Sequence, residues 1–357
     1  MLDFLFVVFL LTGFVISFAY FLNWYYASRS RQNSTHFIIT QDGWKIAIHH
    51  YRPETNSGSV PVILCHGLAS NRFIFDMEGA PSLACYLRDN GFDVWVPELR
   101  GSGLSDAPGL FRSASPYRWG FGHHLDFDVP AIIDFVTEKT GSPKAIWIGH
   151  SMGGMLIYSH LAENHDARIS SVVTIGSPVA FDKNQRHIFK GALKLKFALK
   201  FCPVNPLPFF GRLLVPVITK GANFVHGMYC RTSMDPRVAR CVSTVASQLI
   251  SPSMLWLDLA GFIESGQFKS SDGVPILKKV ENLDIPVYVI AGSRDEVAPM
   301  DWVVPAARSN DEHRTRRLLV AGRENGFEQD YGHVDMLVGL KAQTELYPTI
   351  RSWLQQF

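Results

Sequence analysis

Hydrophobic and polar positions divide this chain into three regimes. Residues 4–28 contain no charged side chain, and Phe4 to Leu22 is almost wholly apolar. As a helix rising ~1.5 Å per residue this stretch spans about 28 Å, the depth of a bilayer core. Trp24, Tyr25 and Tyr26 follow at the level where amphipathic rings meet headgroups, with Arg29 and Arg31 just beyond. The segment reads as one transmembrane anchor. A cleaved signal peptide is the rival reading. It fits less well, because Asp3 is the only early charge and the apolar run exceeds the roughly 7–15 residues of a signal core. A polar linker of about ten residues is expected to follow.

From His36 onward the period changes. His36 to Thr40 and Trp44 to Tyr51 flank the turn Gln41-Asp42-Gly43 and predict an antiparallel hairpin. Short apolar runs then alternate with helical patterns. Val60 to Cys65, Phe92 to Val96, Ala145 to Ile148, Val172 to Ile175 and Ile285 to Ala291 read as strands covered on both faces, while Pro81 to Asn90 and Phe127 to Thr140 read as helices. The fold class is α/β with a mostly parallel sheet flanked by helices. Residues 182–282 break the rhythm and are expected to form an inserted helical cap. The chain thus divides into an anchor and linker (1–32), a first core part (33–181), the cap (182–282) and a second core part (283–357).

Composition changes this picture little. Lys+Arg number 34 and Asp+Glu 32, a formal charge of +2, which excludes a basic nucleic-acid binder. Charged residues are only 18% of the chain, and the surplus apolarity lies in the N-terminal segment and the cap. Positive charge flanks the helix only on its C-terminal side, so the body is expected on the cytoplasmic face of the membrane; the sequon Asn33-Ser34-Thr35 would be usable only in a secretory lumen. Five widely spaced cysteines suggest neither a disulfide framework nor a zinc ribbon. His49-His50 and His123-His124 do not argue for a metal site, since adjacent strand residues point to opposite faces. No metal or organic cofactor is expected.

Candidate chemistry centres on Gly149-His150-Ser151-Met152-Gly153, a G-x-S-x-G sequence between a strand and a helical run. Glycines two before and two after remove Cβ atoms that would collide at a tight turn, leaving the Ser151 hydroxyl exposed above the sheet. A serine nucleophile needs a base, an orienting carboxylate and donors for the oxyanion. His333, in Tyr331-Gly332-His333-Val334-Asp335, suits the base. Asp295, after the strand ending near Ala291, suits the acid. Glu296 and Asp335 are competing carboxylates, Asp335 reading more simply as a helix N-terminal charge. The oxyanion donors are expected to be the N–H groups of Met152 and of Leu68, in the Cys65-His66-Gly67-Leu68 turn; His66 then shapes the loop.

These motifs, with Arg100-Gly101-Ser102-Gly103-Leu104-Ser105, resemble the α/β-hydrolase fold over roughly residues 36–180 and 283–357. Phe92 to Val96, Asp128 to Asp134 and Thr140-Gly141 resemble its acid lipase branch, whereas the His-Ser-Met-Gly-Gly elbow is similar to monoglyceride lipases and esterases. The resemblance implies a serine hydrolase of carboxylic esters, lipid-like in substrate. Sibling dehalogenases and epoxide hydrolases need an aspartate, and polyester synthases a cysteine, where this chain has Ser151. Acyltransferases, thioesterases and peptidases of the same fold remain alternatives, as does a catalytically silent membrane-binding protein. Partners are then a lipid or small-molecule ester and the membrane. Within the cap, Lys190, Lys194, Lys196 and Lys200 interleave with Phe189, Phe197 and Phe201, a mixture that suits either an interfacial helix or a solvated cap face.

Overall fold

The computed structural model describes residues 2–55, 60–107, 118–181, 228–247, 251–311 and 315–357, with Leu199, Val204, Asn205, Phe209, Leu213 and Val215. The lysine- and phenylalanine-bearing stretch 189–201 lies, Leu199 apart, outside the described residues.

Among the described residues, eight strands form one sheet: β1 (Ser34–Ile39), β2 (Lys45–Tyr51), β3 (Val62–Cys65), β4 (Val94–Glu98), β5 (Ala145–His150), β6 (Ile169–Ile175), β7 (Val287–Gly292) and β8 (Arg316–Ala321). Their order is β1-β2-β4-β3-β5-β6-β7-β8. The β1–β2 and β2–β4 pairs are antiparallel and every later pairing is parallel. β1 and β2 form the hairpin that the apolar alternation around Asp42-Gly43 predicts, with Gly43 at φ 87° closing the turn. The edge strand β8 was not anticipated. Its faces are only half-buried, so it lacks the continuous apolar run that marks the inner strands.

Side chains alternate across the sheet into two apolar layers. Val62, Leu64, Ile146, Ile148, Tyr288 and Ile290 enter one, which also takes the helices α2 (Leu83–Asp89) and, at the C-terminus, Tyr347–Leu354. Ile63, Trp147, Val172, Val287 and Val289 enter the other, with α3 (Val129–Thr140) and α4 (Met152–Asn164). Each fully buried Val, Leu or Ile of these layers contributes about 1.5–3 kcal/mol relative to an exposed one.

Ahead of α3, the helical turn Phe121–His123 runs into a π turn over His124–Asp128. The wider turn brings Asp128 and His124 to the same buried place, where His124 Nδ1 lies 2.8 Å from Asp128 Oδ2. Arg100, just past β4, completes the cluster. Its guanidinium pairs with Asp128 at 2.7 Å and with Asp42 at 2.6 Å, and its backbone N–H donates to Asp128 Oδ2 at 3.1 Å. The planar side chain also lies against the Trp44 and Phe127 rings. Nearby, buried Glu98 accepts from Arg72 at 2.8 Å and lies 3.1 Å from His49 Nε2, and these partners hold its carboxyl at a pKa of about 2 despite burial. His50, the neighbour of His49, faces the other way and stacks on Trp95 at 3.8 Å. The adjacent histidines thus have separate partners on opposite faces of the strand.

The N-terminal helix α1 spans Leu2–Tyr25 and is long and apolar enough to cross a membrane. The polar linker predicted after it is not a loose spacer. Arg31 pairs with the fully buried carboxylate of Asp76 at 2.6 Å, and Tyr51 Oη donates to the same carboxylate at 3.0 Å. Composition cannot show this, because the acceptor lies 45 residues away in the sequence.

Replacing Arg100 by Met should leave the Asp128 carboxylate buried without its cation. Removing one partner of a buried pair costs about 3–5 kcal/mol, so the urea midpoint of Arg100→Met is expected to fall accordingly. An unchanged midpoint would mean that leaving the Asp128 carboxylate without its cation costs nothing.

Candidate active site

The strand β5 delivers Ser151 to the head of α4. Ser151 sits at φ 53°, ψ −121°, a backbone region that a residue with a Cβ rarely adopts. The surroundings hold it there. A Cβ at Gly149 would run into the backbone of Gly153 and Gly154, and one at Gly153 into the carbonyls of Cys65 and His66. The Ser151 N–H donates to Ile175 O at 2.9 Å, and Trp147 Nε1 donates to Gly153 O at 3.0 Å. The turn is therefore fixed from both sides by groups that no larger residue would let approach.

The loop after β3 lies directly on this turn. A Cβ at Gly67 would stand 2.7 Å from Ser151 Cβ and 3.3 Å from Ser151 Oγ. Leu68 follows, and Ala69 occupies a second strained position at φ 51°. His66 holds the loop in shape: it lies 2.8 Å from Gly67 O through Nδ1, and its Nε2 accepts the Leu99 N–H at 3.1 Å. An accepting Nε2 means Nδ1 carries the proton, and burial pushes the imidazole pKa down to about 4, so the ring stays neutral. Met152 is the first residue of α4, where helix geometry leaves the backbone N–H without an intrahelical acceptor.

Asp295 and His333 meet across the carboxyl ends of the strands. His333 Nδ1 lies 2.7 Å from Asp295 Oδ2, and both side chains are buried. Asp295 Oδ1 accepts the N–H groups of Val297 at 2.9 Å and Ala298 at 2.7 Å, which orients the carboxylate. Glu296 points out to solvent. Because the ionised carboxylate is acceptor-only, Nδ1 donates and Nε2 keeps the lone pair. The two loops are also tied by their backbones, with Arg294 N donating to Tyr331 O at 2.8 Å. His333 is brought to the serine turn through its neighbour. His150 Nε2 lies 3.0 Å from the His333 carbonyl oxygen, and the two rings are 4.6 Å apart. Burial holds the His150 pKa well below its usual value, so the neutral ring donates through Nε2.

Two further residues belong to this arrangement and were not singled out in the sequence. Gly176, after β6, has φ 56°, and a Cβ there would lie 3.1 Å from both Asp295 Oδ2 and His333 Nδ1. His150, within the elbow sequence, carries no predicted role of its own. Asp335 stands in the first turn of the helix Asp335–Val338, as expected. It is fully buried, and its Oδ2 accepts the Cys230 N–H at 3.0 Å. Burial first, with the Asp295 charge adding to it, pushes its pKa up to about 7.

Residues 60–196 match the model of the alpha/beta hydrolase fold. Lipase member M of Mus musculus is 34% identical over 359 residues, covering 89% of this chain and 82% of the relative. The chain belongs to the α/β-hydrolase lipase and esterase family. That membership makes it a carboxylic ester hydrolase. Lipase 1 of Drosophila melanogaster is 28% identical over 171 residues, 46% of this chain and 38% of the relative. Among solved structures, an esterase from Exiguobacterium antarcticum superposes with a TM-score of 0.59 at 16% identity, covering 90% of this chain and 100% of that one. The last likeness concerns the fold alone.

Two outcomes follow from the packing. Gly176→Val should displace the Asp295–His333 pair and lower the rate of hydrolysis of p-nitrophenyl acetate at least tenfold, with far-UV circular dichroism unchanged; a normal rate would show that the loop yields. Asp335 holds its proton in the folded state up to pH about 7 but releases it near 3.8 when unfolded. The folded state therefore binds more protons between those values, and stability declines as pH rises from 4 to 7. Urea titrations should find wild type losing stability relative to Asp335→Asn between pH 5 and pH 8, by a few kcal/mol at roughly 1.36 kcal/mol per pKa unit.

Proposed function

We propose that the chain is a membrane-tethered serine hydrolase that cleaves lipid-like acyl esters through Ser151, His333 and Asp295. The observation that carries this reading is the 2.7 Å contact of His333 with Asp295 beside a serine held in a strained strand-to-helix turn. Strain of this kind costs of order 1–3 kcal/mol and persists where the surroundings enforce it, as at nucleophile turns.

In this reading His333 Nε2 takes the Ser151 proton as Oγ attacks the ester carbonyl carbon. The Met152 and Leu68 N–H groups receive the developing oxyanion, a contribution worth ~10²–10³ in turnover per donor. The imidazolium, stabilised by Asp295, then protonates the leaving alcohol. A water molecule, deprotonated by the same imidazole, attacks the acyl-serine and releases the carboxylic acid. Every step uses side-chain and backbone groups of the chain.

The relatives' names support a lipid substrate, and the bilayer-length helix supports a retained tether. Arg29 and Arg31 favour a cytoplasmic body. Pairing of Arg31 with Asp76 does not cancel this bias, since the charge acts on the chain during insertion, before the body folds. The segment 182–282 is read as the cap over the acyl pocket.

A fluorophosphonate probe should label wild type and fail to label Ser151→Ala, while Asp295→Asn should slow labelling by several orders of magnitude by favouring the wrong imidazole tautomer. A folded wild-type protein that resists the probe would end the enzymatic reading. A chain-length series of p-nitrophenyl esters should rise from acetate toward long acyl chains; a preference for acetate would end the lipid reading alone.

A further inference from the structure

The N-terminal helix is docked on the hydrolase body by one face. Val15, Phe18, Ala19, Leu22 and Tyr26 recur at helical spacing and are partly or fully buried, Leu22 to 3% exposure and Tyr26 to 9%. The remaining faces are bare: Phe14 is 67% exposed and Trp24 73%. A contiguous apolar surface of that size needs a cover, and its length matches a bilayer.

Beyond the helix the chain is stitched to residues 72–88. Ser28 Oγ and Arg29 O both accept the Glu78 N–H, at 3.0 and 3.1 Å. Ser30 Oγ accepts from Arg72 Nε at 3.0 Å, and Arg31 O from Arg88 Nη1 at 3.3 Å. Arg31 fills the buried Asp76 site through its guanidinium and also its backbone N–H. These bonds leave no free spacer between the helix and the fold.

The surface that receives α1 is the one that braces the site. Cys241 Sγ, in the helix Pro236–Val242, donates to Tyr26 O at 3.6 Å. The same segment, 228–247, holds the loop after β3, where Asn71 Nδ2 donates to Val245 O at 2.8 Å and Ser70 bridges to Ser247. It also holds the loop of His333: Val334 N donates to Met228 O at 2.8 Å, and Cys230 N to Asp335 Oδ2.

From these contacts we propose that α1 is a fixed mount rather than a leash. It sets segment 228–247 and the loop after β3 at the bilayer surface, so that acyl esters dissolved in the leaflet reach Ser151 directly from the membrane. The partner is the lipid bilayer, argued from the bare apolar faces of α1. The proposal rests on the ester-hydrolase reading above.

The test uses the full chain in phosphatidylcholine vesicles. The undocked variant combines Leu22→Ser and Tyr26→Ser with ten Gly/Ser residues inserted after Ala27. It should hydrolyse water-soluble p-nitrophenyl acetate within twofold of wild type, yet lose at least tenfold in rate on monooleoylglycerol carried in the vesicles. Equal retention on both substrates, or equal loss with an unchanged melting temperature, would overturn the mount. A second measurement does not depend on activity. p-Benzoylphenylalanine placed at position 26 should, on irradiation in vesicles, cross-link to a peptide from 72–77 or 228–247; adducts to lipid alone would overturn the docking. If wild type hydrolyses neither ester while the cross-link forms, the enzymatic reading fails and the mount stands.

Discussion

The site depends on a close approach of backbone to backbone at the carboxyl end of β5. Gly149, Gly153 and Gly67 let the strand, the first turn of α4 and the loop after β3 come within contact distance, and that contact holds Ser151 at positive φ. A side chain at Gly67 or Gly153 would push the loop after β3 away from the serine turn, and one at Gly149 would push the first turn of α4 off the strand. The same principle operates once more at Gly176, where the missing Cβ lets the Asp295–His333 pair close over β6. Glycine is used here for the space it leaves, and only at Gly176 for its φ as well.

Charge is handled by a different rule. Glu98, Arg100, Asp128 and Asp76 are all buried, each with charged partners. Arg72, in the loop after β3, pairs with Glu98, and Arg100, in the loop after β4, pairs with Asp42 and Asp128, so both loops are held by ion pairs as well as by apolar packing. Buried pairs add little net stability compared with hydrophobic substitutes, but breaking one is costly. They therefore favour one loop arrangement over others more than they strengthen the fold.

Much of this was legible in the sequence because the relevant signals are local. The elbow carries its glycines within five residues, the strand before Asp295 is a continuous apolar run, and Gly332-His333 stands next to the final helical stretch. What escaped is non-local or depends on burial. The Arg31–Asp76 pair joins residues 45 apart, which turned an expected spacer into part of the body. The helix N-terminal place of Asp335 was legible, but its burial against the Cys230 N–H was not. Strand β8 lies at the sheet edge and lacks the periodicity that marks its neighbours.

The union of α1 with the body carries a mechanical consequence. At ~1.5 Å per residue, a helix the length of α1 is about 36 Å long, longer than the roughly 30 Å hydrocarbon layer, and such an excess is relieved by tilt. A helix on a loose tether would tilt alone. With α1 mounted on the body and seated in a bilayer as proposed, helix and sheet would move together, and bilayer thickness would set the angle at which the hydrolase faces the lipid. Membranes of different sterol or acyl composition would then present the same serine at different depths, and the lipid phase itself would become an adjustable part of the geometry.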